Sequence, residues 1–307
     1  MRSLVFLVIL SLKVQAQDPV YTNTHQSLIA LNPSFAGSNG LFRYQSTIRS
    51  QWFNLSGSYF TYYNSIDAYI KPIKGGIAIS YIRDDQARGT LLTDRLDLTY
   101  AQHFRLFDEK LKIIPSVQFS YFKKTIDNTK LIFGDQIDPR RGFVGSTSDL
   151  PAKQSKNNLD VSAGLVVNNR HFYIGSSVFH ITQPDEGIYG PSKLPYRFSV
   201  FTSYNLPLGE KVLLNAVVRY EKQFSFTSTN ININALFAKH FIIGTGIINN
   251  HAVNTLVGYR HNYFTISSGY EFGISSISRR SGSFELHASF NLRNKDDRKS
   301  IKDFERW

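Results

Sequence analysis

Apolar and polar residues alternate with a period of two along most of the chain after residue 40. In one segment Leu159, Val161, Ala163, Leu165 and Val167 share a face. Successive side chains of a β-strand point to opposite faces, so this pattern predicts strands. The segments run to about ten residues or more, whereas strands of globular proteins usually have ~5–6. A tilted strand needs roughly 9–11 residues to cross a bilayer, so the lengths favour membrane-crossing strands.

The alternation predicts about fourteen strands. They lie near 41–53, 58–71, 74–83, 91–107, 110–124, 157–168, 170–181, 195–206, 210–222, 224–237, 239–249, 251–260, 262–274 and 283–292. Short connections alternate with longer ones, of which 126–156 is the longest. Short turns on one rim and longer loops on the other are typical of outer-membrane barrels. The sequence therefore predicts an all-β, transmembrane antiparallel β-barrel over 41–292, with both termini on the periplasmic side.

A soluble β-sandwich or a propeller would also explain the alternation. Neither explains the alternating loop lengths, or the aromatic residues near segment ends, as in 59–63 and 119–122. Such placement is typical of the aromatic girdles of membrane barrels. No repeat of fixed period, which propeller blades would require, is visible. The barrel is the favoured interpretation.

The two ends of the chain do not resemble barrel wall. Residues 1–16 have a positive start, an apolar stretch over 4–10 and a small-residue end, the pattern of a secretory signal peptide. A buried N-terminal strand is the alternative. Residues 17–40 contain Pro and Gly, which interrupt strands, and are expected to form a periplasmic segment or a plug. Residues 293–307 are rich in charge and predict a periplasmic tail, either solvated or a docking peptide.

Composition narrows the classes further. The 307 residues include no Cys, which excludes disulfides, thiolate metal sites and a Cys nucleophile. No apolar run after the N-terminal segment approaches the ~20 residues of a spanning helix. The mean hydropathy of −0.23 agrees with a barrel in which every second residue faces lipid. The 17 Tyr and 24 Phe are then expected in girdles and lipid-facing wall.

No reaction chemistry is evident. The eight His residues are scattered, and there is no H-E-x-x-H, G-x-S-x-G or Walker A motif. Asp84 with Asp85, and Asp135 with Asp138, are carboxylate pairs in predicted extracellular loops. They are interpreted as solvated acids, with weak Ca²⁺ binding or a barrel protease or lipase site as the alternative. The sequence thus predicts no catalytic, cofactor or metal residues and a protein that is not an enzyme.

The net charge of +12 is distributed among several regions. Arg140, Arg141, Arg279 and Arg280 lie in predicted outward loops, where anionic lipopolysaccharide would be a contact. Nucleic-acid binding is not expected, because the basic residues form no single cluster. The cations predicted to line the interior are Arg49, Arg197, Arg219 and Lys222.

Five short stretches of the chain carry a resemblance to a known family. They are 17–19 (QDP), 31–37 (LNPSFAG), 49–52 (RSQW), 74–78 (KGGIA) and 131–139 (LIFGDQIDP). In order and spacing they resemble the PorP/SprF family, outer-membrane proteins of the type IX secretion system of Bacteroidota. The resemblance extends over essentially the whole chain after the predicted signal peptide, and the charged tail after Leu292 matches least.

The resemblance implies a non-enzymatic component of the type IX secretion and gliding machinery. Such a component supports export or surface anchoring of cargo with C-terminal sorting domains, such as large adhesins. The implied partners are the C-terminal domain of the cargo and periplasmic ring or linker components, besides outer-membrane lipid; no cofactor is implied. A passive uptake channel, porin-like or FadL-like, is the alternative function.

The candidate partner-binding residues fall in two places. The long loop is one, because a loop of this length usually has a role, although it could also be mobile without one. The N-terminal turn is the other, with a purely structural plug as its alternative. The candidates are Phe133, Gly134, Asp135, Gln136, Asp138, Arg140 and Arg141 in the loop, and Asn32, Pro33 and Phe35 in the turn.

Overall fold

Fourteen antiparallel strands close into a barrel in the computed structural model of the chain. The structure describes residues 18–19, 21–23, 27–55, 57–107, 110–133, 136–138, 140–145, 153–169, 171–249, 251–274 and 282–292. The predicted signal peptide, the charged tail and the pair Arg279–Arg280 lie outside these residues.

Strands form most of the described chain. Their bounds are β1 Phe42–Gln51, β2 Tyr59–Ile70, β3 Gly75–Gln86, β4 Leu91–Gln102, β5 Phe104–Leu106, β6 Leu111–Asp127, β7 Ile137–Asp138, β8 Gly142–Phe143, β9 Lys153–Asn168, β10 Phe172–Phe179, β11 Arg197–Leu208, β12 Val212–Gln223, β13 Phe226–Phe237, β14 Phe241–Ile248, β15 Ala252–Arg260, β16 Phe264–Gly273 and β17 Ser283–Leu292. The helical elements are α1 Leu28–Leu31 and the 3₁₀ turns Pro33–Phe35, Lys71–Ile73 and Asn128–Lys130. None of the helices in the described residues is long and apolar enough to span a membrane.

Each strand of the wall pairs with its neighbour in sequence. Strand β5 continues β4 along β6, and β7 pairs with β8 in a small ribbon within the long loop. The order therefore runs β1-β2-β3-β4-β6-β9-β10 and on through β17, and β17 pairs with β1 to close the ring. Closure leaves no strand edge exposed, which a sheet in lipid requires because its backbone polar groups find no water there. The predicted fourteen-stranded antiparallel barrel is confirmed.

The two rims of the barrel differ. One rim, the short-turn end, holds the start of β1, the end of β17 and six tight connections, such as 209–211. The opposite rim, the long-loop end, holds the 128–152 and 180–196 loops. The alternation in length is incomplete, since the β12–β13 and β14–β15 connections at the long-loop end are also short.

The wall is apolar outside and polar inside. On β13, Asn230, Asn232 and Asn234 point inward and are buried, whereas the alternate Ile231 and Ile233 are 44% and 55% exposed. Outward aromatic side chains form a belt at the short-turn end; the rings of Phe241 and Tyr259, for example, lie 5.6 Å apart. This distribution is the reverse of a water-soluble protein and is suited to a lipid-facing surface.

The wall tests the prediction that four cations line the interior. Arg49, Arg197 and Arg219 face the interior as predicted, but Lys222 is exposed on the outer face. The prediction for Lys222 was wrong, because Arg219 and Lys222 are three residues apart and a strand sends them to opposite faces.

Asp84 and Asp85 do not form a loop pair, since β3 continues to Gln86. Asp84 is buried in the interior, and Asp85 accepts a hydrogen bond from the Gly89 amide in the following turn. The predicted carboxylate pair is therefore divided between the two faces of the wall.

Candidate functional site

The described residues between 18 and 40 occupy the interior of the barrel. Residues 18–40, called here the luminal segment, begin near the long-loop end, where Asp18 contacts Arg197 at the start of β11. They end at the short-turn end, where the Gly40 carbonyl accepts a hydrogen bond from the Tyr69 amide near the end of β2. The segment thus passes along the whole lumen before the chain enters the wall at Phe42.

The middle of the luminal segment packs into a small apolar core. Ile29, Leu31 and Phe35 are at most 5% exposed and contact inward residues of six wall strands. Phe35 stacks near Phe201 of β11, with ring centroids 5.6 Å apart. These contacts bury apolar surface in an otherwise polar lumen, so they favour an occupied interior over a water-filled one.

Asn32 holds the turn between α1 and the 3₁₀ turn. Its side-chain oxygen accepts the Ser34 amide hydrogen at 2.9 Å and its amide donates to the Ser176 carbonyl at 2.8 Å. Pro33 follows at the first position of the 3₁₀ turn, where its fixed φ is favourable. The structure therefore buries the sequence candidates Asn32, Pro33 and Phe35, and they can reach a partner only if the segment leaves the lumen.

Three wall glycines make room for the luminal segment. A Cβ at Gly76 would collide with the Ala36 carbonyl, one at Gly164 with the Asn32 side chain, and one at Gly269 with Asn23. These glycines lie on β3, β9 and β16, so the close approach occurs on several sides of the lumen. The wall is shaped to fit the segment.

A buried ion pair binds the luminal segment at the short-turn end. Arg43 Nε lies 2.8 Å from an Asp67 carboxylate oxygen, and the two residues are directly opposite on β1 and β2. Asp67 also accepts the Gly37 amide hydrogen at 2.8 Å, and Arg43 donates to the Phe35 carbonyl at 3.0 Å. The pair therefore joins two strands and the luminal segment.

A second charged cluster, on β1, β16 and β17, fastens the segment nearer the long-loop end. Arg49 pairs with Glu271 at 2.9 Å and with Glu285 at 3.3 Å. The Glu285 carboxylate accepts hydrogen bonds from the backbone amides of Thr22 and Asn23. Charged wall residues thus bind the backbone of the segment, a strong form of hydrogen bond.

A third cluster lies at the long-loop end. The His180 ring, just after β10, contacts Asp18 at 2.7 Å through Nε2 and Asp160 at 2.6 Å through Nδ1. Burial disfavours the charged ring, but the two carboxylates outweigh it and raise the pKa of His180. Burial likewise opposes the charged form of Asp18, yet the neighbouring His180 and Arg197 lower its pKa below the usual range. We call Asp18 and His180 the latch.

The latch is expected to weaken as pH rises. The folded pKa of His180 is raised, so its contribution is complete below the unfolded value of ~6.5 and is lost as pH rises through the folded pKa. The charged groups that face the ring are Asp18, Asp160, Arg95 and Arg197. Thermal unfolding of the purified protein between pH 6 and pH 9 should show a falling midpoint.

Thermal unfolding of the His180→Asn variant over the same pH range provides the test. The variant should be less stable at pH 6 and should lose most of the slope, whereas His240→Asn at an exposed turn should keep it. Equal slopes in the wild type and His180→Asn would contradict the latch.

The described part of the long loop contains the β7–β8 ribbon. Gln136 is buried there and organises it: its side chain accepts from the Phe133 amide and donates to the Gly145 carbonyl. Asp138 accepts the amide hydrogens of Arg140 and Arg141 at 2.7 and 2.8 Å, which makes it a turn residue. The sequence candidates Gly134 and Asp135 lie outside the described residues.

The outward surface of the ribbon is apolar. Ile132, Ile137, Phe143 and Val144 are 52–67% exposed, far from the lipid-facing belt of the short-turn end. Exposed apolar side chains gathered on one loop often mark an interaction site. These four residues were not among the sequence candidates, which in the described part of the loop are Phe133, Gln136, Asp138, Arg140 and Arg141.

The short-turn end carries a groove of about 430 Å³ over three neighbouring turns. Leu213 and Leu236 form its apolar floor, and Lys211, Lys239 and Arg260 lie around it. Further cations on other short turns are Lys71, Lys74 and Lys110. Among the described residues, no cluster of His, Asp and Glu could hold a metal ion.

Comparison with known proteins gives one family and a common architecture. Residues 13–290 match the family model described as type IX secretion system membrane protein PorP/SprF. Among curated protein sequences none is a match.

Several solved barrels share the fold. The toluene transporter TbuX of Ralstonia pickettii is 11% identical, with a TM-score of 0.53 over 87% of this chain and 94% of that chain. The monoaromatic hydrocarbon channel CymD is 9% identical, with a TM-score of 0.51 over 92% of this chain and 95% of that chain. A deletion mutant of the channel TodX is 9% identical, with a TM-score of 0.53 over 86% and 94%. Sequence identities this low show only that the chain shares the fold of these proteins.

Proposed function

The chain belongs to the PorP/SprF family of type IX secretion system membrane proteins, and from this premise we propose that it is a non-enzymatic scaffold of that system. It would support the export or surface anchoring of cargo with C-terminal sorting domains, such as large adhesins used in gliding. The family match over 13–290 is the observation that carries the proposal. The protein is an outer-membrane barrel, and the cargo, the partners and the orientation of the termini are parts of the proposal.

The occupied lumen supports a scaffold. The luminal segment is bound by a small apolar core and by charged groups at both ends of the barrel. A rigid, filled barrel can hold partners on both rims without passing solute between them. A passive uptake channel is the second candidate, because the barrels of similar fold include a toluene transporter and a hydrocarbon channel.

Each rim offers a surface to a different partner. Short turns face the periplasm in barrels of this kind, so the groove with Lys211 and Lys239 would bind an acidic segment of a periplasmic ring or linker component. The exposed apolar side chains of the β7–β8 ribbon would then contact cargo outside the cell. Arg140 and Arg141 beside them would contact the cargo or lipopolysaccharide.

Loss of the protein should remove cargo from the cell surface. Surface proteomics of a strain that lacks the gene is expected to show a several-fold loss of one or more proteins with C-terminal sorting domains. Complementation with Ile137→Asp/Phe143→Asp, or with Lys211→Glu/Lys239→Glu, should restore the barrel but not the cargo. Lys222→Glu, an exposed cation away from the groove, is the matched control and should restore both. Unchanged surface proteins in the deletion strain would overturn the secretion role.

A further inference from the structure

A small cavity of about 90 Å³ lies between the luminal segment and the wall near the long-loop end. Its lining comes from the luminal segment, from β2, β3, β4, β6, β10 and β11, and from the 180–196 loop. Partly exposed residues such as Gln86 and Thr93 belong to this lining. The cavity has the volume of a few water molecules, enough for a compact polar group.

All but one of the carboxylates that line this cavity have a cationic partner. Asp18 pairs with His180 and Arg197, and Asp97 pairs with Arg95 at 2.7 Å. The Glu186 carboxylate pairs with Lys124 at 2.9 Å.

Asp84 is the exception among the described residues. It is 5% exposed, and its two oxygens accept hydrogen bonds only from neutral donors, the Thr61 hydroxyl at 2.7 Å and the Gln86 amide at 2.8 Å. An ionised carboxylate held out of water without a counter-charge is unfavourable, so this position attracts a cation.

One tyrosine hydroxyl that lines the same cavity has no hydrogen-bond partner among the described residues. Tyr21 is 7% exposed and its hydroxyl oxygen is buried and unbonded, whereas the Tyr63 hydroxyl faces the hydroxyls of Ser65 and Ser80. The two rings meet edge to face, with centroids 5.9 Å apart. Buried hydroxyls normally find a partner, so the Tyr21 hydroxyl points to a polar guest.

We propose that the cavity binds a primary ammonium group, with Asp84 as its counter-ion. An ammonium group carries three N–H donors, and the Asp84 carboxylate and the Tyr21 hydroxyl, which interact with each other electrostatically, supply acceptors for it. Aromatic rings beside the carboxylate favour an organic cation over a strongly hydrated metal ion. The ammonium group comes from a small free amine or from a lysine side chain of a polypeptide at the long-loop end.

Calorimetric titration of the purified full chain in detergent tests the site, with methylammonium chloride as the probe and potassium chloride at equal ionic strength as the reference. Saturable binding of methylammonium, absent with potassium, is expected. Asp84→Asn should weaken binding by about tenfold or more, since it removes the charge and keeps the shape. Asp85→Asn, the neighbouring carboxylate on the other face, is the matched control and should bind as the wild type does.

A second variant covers the event that Asp84→Asn does not fold. Tyr21→Phe removes the unpartnered acceptor and should weaken methylammonium binding by several-fold. The peptides Gly-Lys-Gly and Gly-Gln-Gly distinguish the two sources: binding of the lysine peptide alone indicates a side-chain guest, and binding of neither peptide indicates a free amine. Equal heats for methylammonium and potassium, or full binding by Asp84→Asn or Tyr21→Phe, would overturn the proposal.

Discussion

Deleting residues 18–36 is expected to turn a closed barrel into a conducting pore. In the wild type, the segment fills the lumen with side chains such as Ile29 and Phe35 and with backbone bound to Glu285. Without it, the polar inner wall would enclose a continuous path of water, because a fourteen-stranded barrel is wider than the eight-stranded kind that side chains fill. Single-channel recording in planar bilayers should show roughly tenfold or more conductance for the variant relative to the full chain.

Two further variants make this measurement specific. Deleting 140–145 from the β7–β8 ribbon shortens the protein without touching the lumen, and this variant should stay closed. If the 18–36 deletion does not fold, Gly76→Val/Gly164→Val keeps the chain length and displaces the segment by collision with Ala36 and Asn32. A wild-type protein that conducts as well as these variants would favour the uptake channel over the scaffold.

The wall of the barrel could be predicted from the sequence because its rule is local. A strand alternates its faces at every residue, so Asn230 and Ile231 reveal inside and outside from their order alone. The same rule, applied strictly, would have placed Lys222 outside and separated Asp84 from Asp85. Both predictions were wrong because they grouped residues by proximity in sequence and not by the face to which odd and even positions of a strand point.

The path of the luminal segment could not be predicted in this way. Pro33 and Gly37 indicate a break in strand structure, but they do not indicate what the turn packs against. That depends on contacts distant in sequence, such as the one from Asn32 to Ser176, 144 residues away. The latch has the same origin, since Asp18 and His180 are 162 residues apart. These contacts form only when the barrel closes, whereas the alternation of the wall is visible along each strand.

The ion pair of Arg43 and Asp67 could be predicted by combining the alternation of faces along each strand with the pairing register of β1 and β2. Arg43 lies six residues before Arg49 on β1, so both face the lumen, and Asp67 is its direct neighbour on β2. An inward Arg opposite an inward Asp predicts an ion pair once the register is known. The additional bonds to Gly37 and Phe35 then make this pair a joint between the wall and the segment.

Asp67→Ala is expected to destabilise the protein strongly. The Arg43 side chain is 6% exposed, so removing its partner would leave a buried guanidinium without a counter-charge and the Gly37 amide without an acceptor. Breaking a buried pair in this way costs about 3–5 kcal/mol. Denaturant unfolding of the refolded protein in lipid vesicles would measure the loss, and the freed segment should also raise the conductance in planar bilayers.

Asp94→Ala is the matched control on the other face of the wall. Asp94 pairs with Arg83 at 3.5 Å, but these side chains are 32% and 50% exposed, so its loss should cost less than about 1 kcal/mol and leave the conductance unchanged. The double variant Arg43→Met/Asp67→Leu should recover part of the stability lost in Asp67→Ala, because it leaves no unpaired charge. It should not restore the closed state fully, since Gly37 and Phe35 would still lack their partners. If Asp67→Ala and Asp94→Ala proved equally mild, the pair would not be what holds the segment in the lumen.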